Sequence, residues 1–539
     1  MPAIDDEPNV RPEVQMSGGV VPEGYRVYPP RVNMYAETVG RAIAAGCGGR
    51  PALAWDGGAL TYDELDRAVG RAAAGLLAAG LAEGDAVLLR SDNRPAYPIL
   101  ALAAFRIGAV AVMSSSLLTQ DEVAYLLENS GARIAAAPAD LAAPLEALLD
   151  EGALDRLVIV DGPAEGEGLV SYDSFDGLSP VGWTADTEAM APAFMVYSSG
   201  TTGRPKGILH GHRWAIALGD PVVLHNEYAP GDVTMTPGEF SFMGTFGNNF
   251  IGPLRAGATI ALFFERASPR PVLEAVARFG VNKFLSVPTF YRRILSEPGV
   301  EDGLDLSAVR YFMSAGESLG SSVPEQWSHR FDFPLYEIYG VSEVMTCMAN
   351  TAYNEVRWGS MGKALPGYRM TIMDDRLEPV AVGESGRLMI HRDDPGMFLC
   401  YYKQWDKWRA AHKGDWYDTG DVMRQDGDGY YYFLGRKDDL FKSRGYFISP
   451  QEVENALLKH AAIAEAAVIG IPDDAFGNRI AAFARLAGGN AASDALKGEI
   501  LEDAARRLAP YKVPKSLEFL DEIPKNAVGK ILRSALAAD

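Results

Sequence analysis

The 539-residue sequence is short of cysteine, of positive charge and of long apolar runs. Its three cysteines, Cys47, Cys347 and Cys400, are too few and too far apart for a disulfide framework or a zinc cluster. They read as free thiols in a reducing compartment. Lys and Arg number 50 against 71 Asp and Glu, a formal net charge of −21. That deficit of basic residues excludes bulk binding to nucleic acid or to an anionic membrane, while leaving room for one local basic site. No stretch reaches the roughly 18 uncharged apolar residues of a membrane span. The first 30 residues are acidic and dotted with proline, and lack the basic-then-apolar order of a signal peptide. A cytoplasmic, soluble protein is expected, with the first 25 or so residues loosely ordered. No nucleophile-elbow or zinc motif is visible, so a Ser-His-Asp triad is not expected either.

What is present is a βαβα rhythm. Thr61-Tyr-Asp-Glu64 and Thr119-Gln-Asp-Glu122 are capping-box patterns. Behind the first, Leu65, Val69, Ala73, Leu76 and Leu77 recur at helical spacing. Short apolar runs at 86–89, 109–113 and 132–136 read as buried strands, and the rhythm recurs at 258–264, 271 onward and 283–287. This predicts parallel sheet covered by helices, an α/β fold. The pattern shifts near Gly435, where an aromatic, β-rich run gives way to the charged Arg436-Lys-Asp-Asp439. About 100 residues with their own helix and strand pattern follow, which places a domain boundary between 1–435 and 436–539.

The sharpest segment is Tyr197-Ser-Ser-Gly-Thr-Thr-Gly-Arg-Pro-Lys-Gly207. It offers hydroxyls, glycines, one Arg and one Lys and no acid, behind a strand-like Phe194-Met-Val. Glycine lets backbone N–H groups approach an anion closely, and hydroxyls and lysine add donors. A triphosphate is such an anion. Pro205 stands where a Walker A loop has glycine, so this is a different loop.

The segment resembles the phosphate loop of the adenylate-forming (ANL) superfamily: acyl-CoA synthetases, adenylation domains of peptide synthetases, and luciferases. Four more of that family's motifs follow in order. Tyr339-Gly-Val-Ser-Glu343 resembles its aromatic-Gly-x-Thr-Glu motif, with Ser342 in place of the usual Thr. Tyr417-Asp-Thr-Gly-Asp421 resembles its ribose motif, Gly435-Arg-Lys-Asp-Asp439 its hinge, and Pro524-Lys-Asn-Ala-Val-Gly-Lys530 its C-terminal lysine motif.

The resemblance implies a large N-terminal domain that binds AMP and the acid, and a smaller mobile α+β C-terminal lid hinged near Asp438. It implies ATP, Mg²⁺ and coenzyme A as reactants: an acid and ATP give an acyl-adenylate, and a thiol then gives the thioester. The residues it assigns to ATP or AMP are Ser198, Ser199, Gly200, Thr201, Thr202, Gly203, Lys206, the turn Gly316-Glu317-Ser318, Tyr339, Gly340, Ser342, Asp421 and Arg436. Lys530, Glu343 and Lys206 would be catalytic, with Glu343 on Mg²⁺. Each role has a chemical reason. A carboxylate holds Mg²⁺ and accepts from ribose hydroxyls, a tyrosine ring stacks on adenine, and a mobile ammonium steadies the charge gathered when a carboxylate attacks a phosphate. Asp418 reads as structural.

Lys442, Arg444 and Gly445 are the candidates for coenzyme A. Phe447 stands where several acyl-CoA synthetases carry an arginine, so that ATP contact is not carried over. His210 and His212 lack a partner cluster and argue only weakly for a metal. For the acid, Phe242, Phe246, Gly247 and Gly340 are candidate pocket residues. The run Phe246-Gly-Asn, with Val287-Pro-Thr-Phe290 and Ser314-Ala-Gly-Glu317, looks most like the benzoate-CoA ligase branch. An aromatic or compact cyclic acid is therefore expected, with Arg255 and His225 available for a second polar group. A short- or medium-chain fatty acid, or a non-catalytic nucleotide-binding regulator, is the alternative. The chain ends nine residues after Lys530 with no carrier domain in between, which favours free coenzyme A as the thiol. Homo-oligomerisation is left open.

Overall fold

The structure is a computed structural model and describes residues 29–198, 204–352, 354–365, 368–394, 396–443, 446–473, 477–525 and 531–536. The expectation for the first 25 or so residues lies outside these. Both capping boxes fold as read. Thr61 caps the helix Tyr62–Ala78 and Thr119 the helix Gln120–Ser130, each with the reciprocal glutamate contact. Leu65, Val69, Ala73 and Leu76 are fully buried, whereas Leu77 is 36% exposed. The apolar stripe is one position wider than the face the helix buries.

The rhythm of the front half becomes an eight-stranded sheet. Ala86–Arg90, Val110–Ser114, Ile134–Pro138 and Arg156–Val160 run parallel within it. The helix Ala96–Arg106, apolar almost all round, is buried along its whole length, as such a sequence requires. A nine-stranded sheet carries Lys283–Ser286, Tyr311–Ser314 and Leu335–Val341 in parallel. Along one sheet or the other, Ser198, Ser314 and Val341 each end a strand just before a motif segment, the usual place for ligand chemistry in open α/β sheets.

A third sheet was not legible in the sequence. Met370–Met373, Ser385–His391, His412–Lys413, Trp416–Gln425 and Tyr431–Arg436 form five antiparallel strands. Burial alternates residue by residue along Trp416–Gln425, the signature of a strand covered on one face. Beyond Arg436 the pairing changes. Phe441–Ser443 pairs with Tyr446–Ile448, and a three-stranded sheet of Ile463–Asp473, Gly477–Leu486 and Ser516–Phe519 packs with the helices Pro450–Leu457 and Asp494–Arg507. This smaller unit has its own core around Val453, Leu457, Val468, Ile480 and Ile500. The three cysteines are buried, and no disulfide joins them.

Candidate active site

The phosphate-loop segment is the connection of an antiparallel hairpin. Pro192–Ser198 pairs with Lys206–Gly211, and Ser198 lies opposite Lys206. Ser199, Gly200, Thr201, Thr202 and Gly203 lie outside the described residues. Lys206 is half-buried, and burial lowers its pKa against the opposing pull of Glu343. Arg204 faces outward, over the Tyr125 ring and 3.7 Å from Glu128.

Glu343 follows the Leu335–Val341 strand and is held at three levels. His210 Nε2 meets the Ser342 carbonyl at 2.9 Å, the Phe398 N–H donates to the Glu343 carbonyl at 2.8 Å, and the Tyr401 hydroxyl donates to the carboxylate at 2.5 Å. Burial pushes His210 down to about 3, so its ring is neutral and Nε2–H is the donor. The strand Cys400–Tyr401 pairs with the lysine-bearing strand, which sets the Tyr401 hydroxyl 3.4 Å from Lys206 Nζ. Tyr417 adds its hydroxyl 3.0 Å from that of Tyr401. Among the described residues no group of three His, Cys, Asp or Glu side chains is placed to hold a metal ion. A single carboxylate suits a Mg²⁺ that arrives with a triphosphate and takes its other ligands from phosphate and water.

Beside this lies a second corner. Asp421 and Arg436 are register partners on adjacent strands, joined by an ion pair of 2.9 Å. The Tyr339 hydroxyl donates to the other oxygen of Asp421. That commitment makes Tyr339 part of the carboxylate corner as well as an aromatic plate. Gly420 has φ +76°, and a Cβ there would lie 2.9 Å from the Arg436 guanidinium. Asp418 on the same strand binds Arg387 at 2.6 Å, a structural pair. Gly340 is exposed, and a Cβ on it would fall 1.8 Å from the Met345 carbonyl, so no other residue fits.

The turn Gly316-Glu317-Ser318 follows the strand Tyr311–Ser314, with Gly316 at φ +94°. It is pinned from below by Glu337, whose carboxylate accepts from the Leu319 N–H at 2.7 Å. Burial raises the Glu337 pKa to about 8.

Four expectations are corrected. Phe246 is fully buried among Phe194, Trp214 and Phe250, with ring centroids 4.7 to 5.7 Å away, and so belongs to the core rather than to a pocket wall. Gly247 is likewise a packing glycine, since a Cβ would lie 1.8 Å from the Met345 sulfur. Arg255 cannot read a substrate group, because Glu37 and Asp220 grip it at 2.6 and 2.7 Å in the interior. His225 is buried too, and desolvation pushes it down to about 3. Phe242 remains half-buried at the cap of the helix Met243–Phe246, beside the half-buried Gly244 and Thr245.

Asp438 lies in the turn between Tyr431–Arg436 and Phe441–Ser443, near enough to Lys206 for its charge to raise the lysine's pKa. Lys442 lies on Phe441–Ser443 and pairs in register with Phe447, while Arg444 and Gly445 fall outside the described residues. Lys530 also falls outside them. The described segments flanking 526–530 are tied by a Lys525–Ile531 bridge, by Lys525 on Glu465 at 2.6 Å and by Arg533 on Glu454 at 2.8 Å. Tyr401 and Glu337 were missed in the sequence, as were the positioning roles of His210 and of Tyr417, which the sequence named only as part of the ribose motif. For Tyr401 the only signal was the aromatic pair Tyr401-Tyr402, and periodicity alone reads such a pair as core.

Strand-end turns, a glycine-and-hydroxyl hairpin with its lysine, a lone carboxylate and a carboxylate–arginine corner together define a class: α/β enzymes that hold a nucleotide triphosphate against a second reactant. Comparison with known proteins makes the class specific. The model of the AMP-binding enzyme family matches residues 41–402, and that of the AMP-binding enzyme C-terminal domain matches residues 452–530. Benzoate–CoA ligase of Thauera aromatica is 34% identical over 519 residues, covering 94% of this chain and 96% of that protein. A 3-hydroxybenzoate–CoA/4-hydroxybenzoate–CoA ligase of the same organism is 31% identical, with 94% and 97% covered. Among solved structures, the anthranilate CoA ligase AuaEII in complex with anthranoyl-AMP superposes with a TM-score of 0.88 at 28% identity, covering 94% of this chain and 97% of that one. A benzoate CoA ligase from Burkholderia xenovorans LB400 gives 0.84 at 29%, with 94% and 99% covered. The chain belongs to the AMP-binding enzyme family.

Proposed function

We propose that this chain is an ATP-dependent acid:CoA ligase that converts an aromatic carboxylate, through its acyl-adenylate, to the coenzyme A thioester. The observation that carries this is the placement of a phosphate-hairpin lysine, a lone carboxylate and a ribose-type corner side by side, in a chain similar along nearly its whole length to benzoate and hydroxybenzoate CoA ligases.

In the first half-reaction a carboxylate oxygen of the acid attacks the α-phosphorus of ATP, and pyrophosphate leaves. Ser198 to Gly203 and Lys206 cradle the phosphates. Mg²⁺ bound to Glu343 would screen the charge of the departing pyrophosphate. Asp421 and Arg436 hold the ribose, the Tyr339 ring stacks on adenine, Gly316 to Ser318 meet base and ribose, and Ser342 donates to a phosphate oxygen. Lys530 brings its ammonium to the carboxylate and α-phosphate. In the second half-reaction the coenzyme A thiol loses its proton and attacks the acyl carbon, and AMP leaves. Lys442, Arg444 and Gly445 serve coenzyme A binding once residues 436–539 have turned as a lid about Asp438. Phe242 and Gly340 border the acid. Positioning and charge stabilisation suffice, with no covalent enzyme intermediate. The protein works in the cytoplasm on free coenzyme A.

AMP release with ATP and coenzyme A, measured over benzoate, hydroxybenzoates, cyclic acids and C2 to C10 fatty acids, tests the reading. Benzoate-type acids are expected to give the highest kcat/KM. No release with any acid, despite ATP binding, would leave a nucleotide-binding regulator, and preference for fatty acids would replace the substrate class. Lys530→Ala is expected to slow adenylation roughly 100- to 1,000-fold while sparing thioester formation from supplied acyl-adenylate.

A further inference from the structure

Lys206 and Glu343 are opposite charges in a largely desolvated wall, where bare ions attract strongly and pair. Among the described residues they make no direct ion pair with each other. The link between them runs through one phenol. Tyr401 is 2% exposed and its hydroxyl proton goes to Glu343 Oε1 at 2.5 Å. Its oxygen is then left to accept from Lys206 Nζ at 3.4 Å and from the Tyr417 hydroxyl at 3.0 Å. The ring works as well: Lys206 Nζ lies 4.4 Å from its centroid, within range of the negative face of the π-system. The backbone makes the placement rigid. Tyr401 pairs with Ile208, the Tyr402 N–H donates to the Gly207 carbonyl at 2.8 Å, and Phe398, packed 4.8 Å from Tyr401, holds the Glu343 main chain.

We propose that Tyr401 is a positioning residue that keeps Lys206 and Glu343 from neutralising one another, so that the ammonium stays available to phosphate and the carboxylate to the cation that accompanies it. The inference rests on the reading of Lys206 as a phosphate ligand and goes beyond it by assigning the device that keeps the lysine free. Without the phenol oxygen, Glu343 captures the lysine, and a triphosphate must break that pair before it binds.

The test reads binding, with no metal present. Affinity for α,β-methylene-ATP is measured by calorimetry in EDTA for the wild type, Tyr401→Phe, Glu343→Gln, the double variant and Lys206→Met, alongside their melting temperatures. Tyr401→Phe keeps the ring and is expected to weaken binding about tenfold, the scale of one charge-assisted hydrogen bond. Glu343→Gln is expected to bind at least as tightly as the wild type, because no metal is there to lose. The double variant is expected to match Glu343→Gln, since a neutral residue 343 cannot capture the lysine. Equal weakening by Tyr401→Phe in both backgrounds would make Tyr401 merely structural and overturn the proposal, as would no weakening at all. Lys206→Met separates the two levels: wild-type affinity in that variant would overturn the phosphate-ligand reading itself.

Discussion

The active site of the large body and the smaller C-terminal unit treat buried charge in opposite ways. In the C-terminal unit charges are paired directly. Glu454, 2% exposed, takes the Arg533 guanidinium at 2.8 and 3.0 Å, with Asp439 at 3.6 Å beyond it, and Glu465 is shared by Lys525 and Arg485 at 2.6 and 2.7 Å. In the body's site the charges touch phenols instead. Lys206 and Glu343 meet through Tyr401, and even the direct Asp421–Arg436 pair is shared with Tyr339. A direct pair commits both charges to structure. A phenol bridge orients them and leaves capacity for a ligand. The contrast sorts the charged residues into those that hold the fold and those that await a substrate.

The strongest way to break the contrast lies in the C-terminal unit. Glu454→Ala takes from the half-buried Arg533 guanidinium its nearer partner, leaving Asp439 at 3.6 Å, and is expected to cost about 3 kcal/mol of stability. Denaturant unfolding checks this, and a stability unchanged within error would remove the unit's charges from the structural class. Next in size, Tyr339→Phe takes one donor from Asp421. It is expected to weaken binding of the nucleotide analogue by an amount corresponding to about 1.5–3 kcal/mol, as for hydrogen bonds to charged groups, with little change in melting temperature. An effect on melting and none on binding would move Asp421 to the structural side.

A pH dependence acts on both flanks of the stability curve. Burial holds His210, His212 and His225 down at about 3, so the unfolded chain binds more protons and stability falls as pH drops from about 6.5 toward 3. Glu337 is raised to about 8, so here the folded chain binds the extra proton. Its contribution is complete below the ordinary glutamate range near pH 4.5 and is lost as pH rises to about 8. Melting temperatures across that range should fall less steeply in Glu337→Gln than in the wild type, and parallel slopes would refute the assignment.

The sequence made legible whatever is local or strung along the chain in order. Both capping boxes, the parallel strands and the five ordered motifs needed no tertiary knowledge, because a cap, a period or a motif is complete within a few residues. Tyr401 and Glu337 were illegible for the opposite reason. Each acts on a residue distant in sequence, Glu343 or Leu319, and each looks like ordinary strand or core until the sheets assemble. Phe246 and Arg255 were misread by the same blindness. An aromatic beside glycines and an arginine near a pocket segment suggest recognition, but ring packing and the grip of Glu37 and Asp220 are long-range facts. The five-stranded antiparallel sheet was lost because its strands are spread over 370–436 with loops and a short helix between.

In the proposed function the body's phenol-bridged charges serve adenylation of an aromatic acid. Exchange of labelled pyrophosphate into ATP, without coenzyme A, isolates that step. Exchange is expected to depend on benzoate or a close relative and to collapse in Lys206→Met. Exchange that ignores the acid, or that persists undiminished without Lys206, would contradict it.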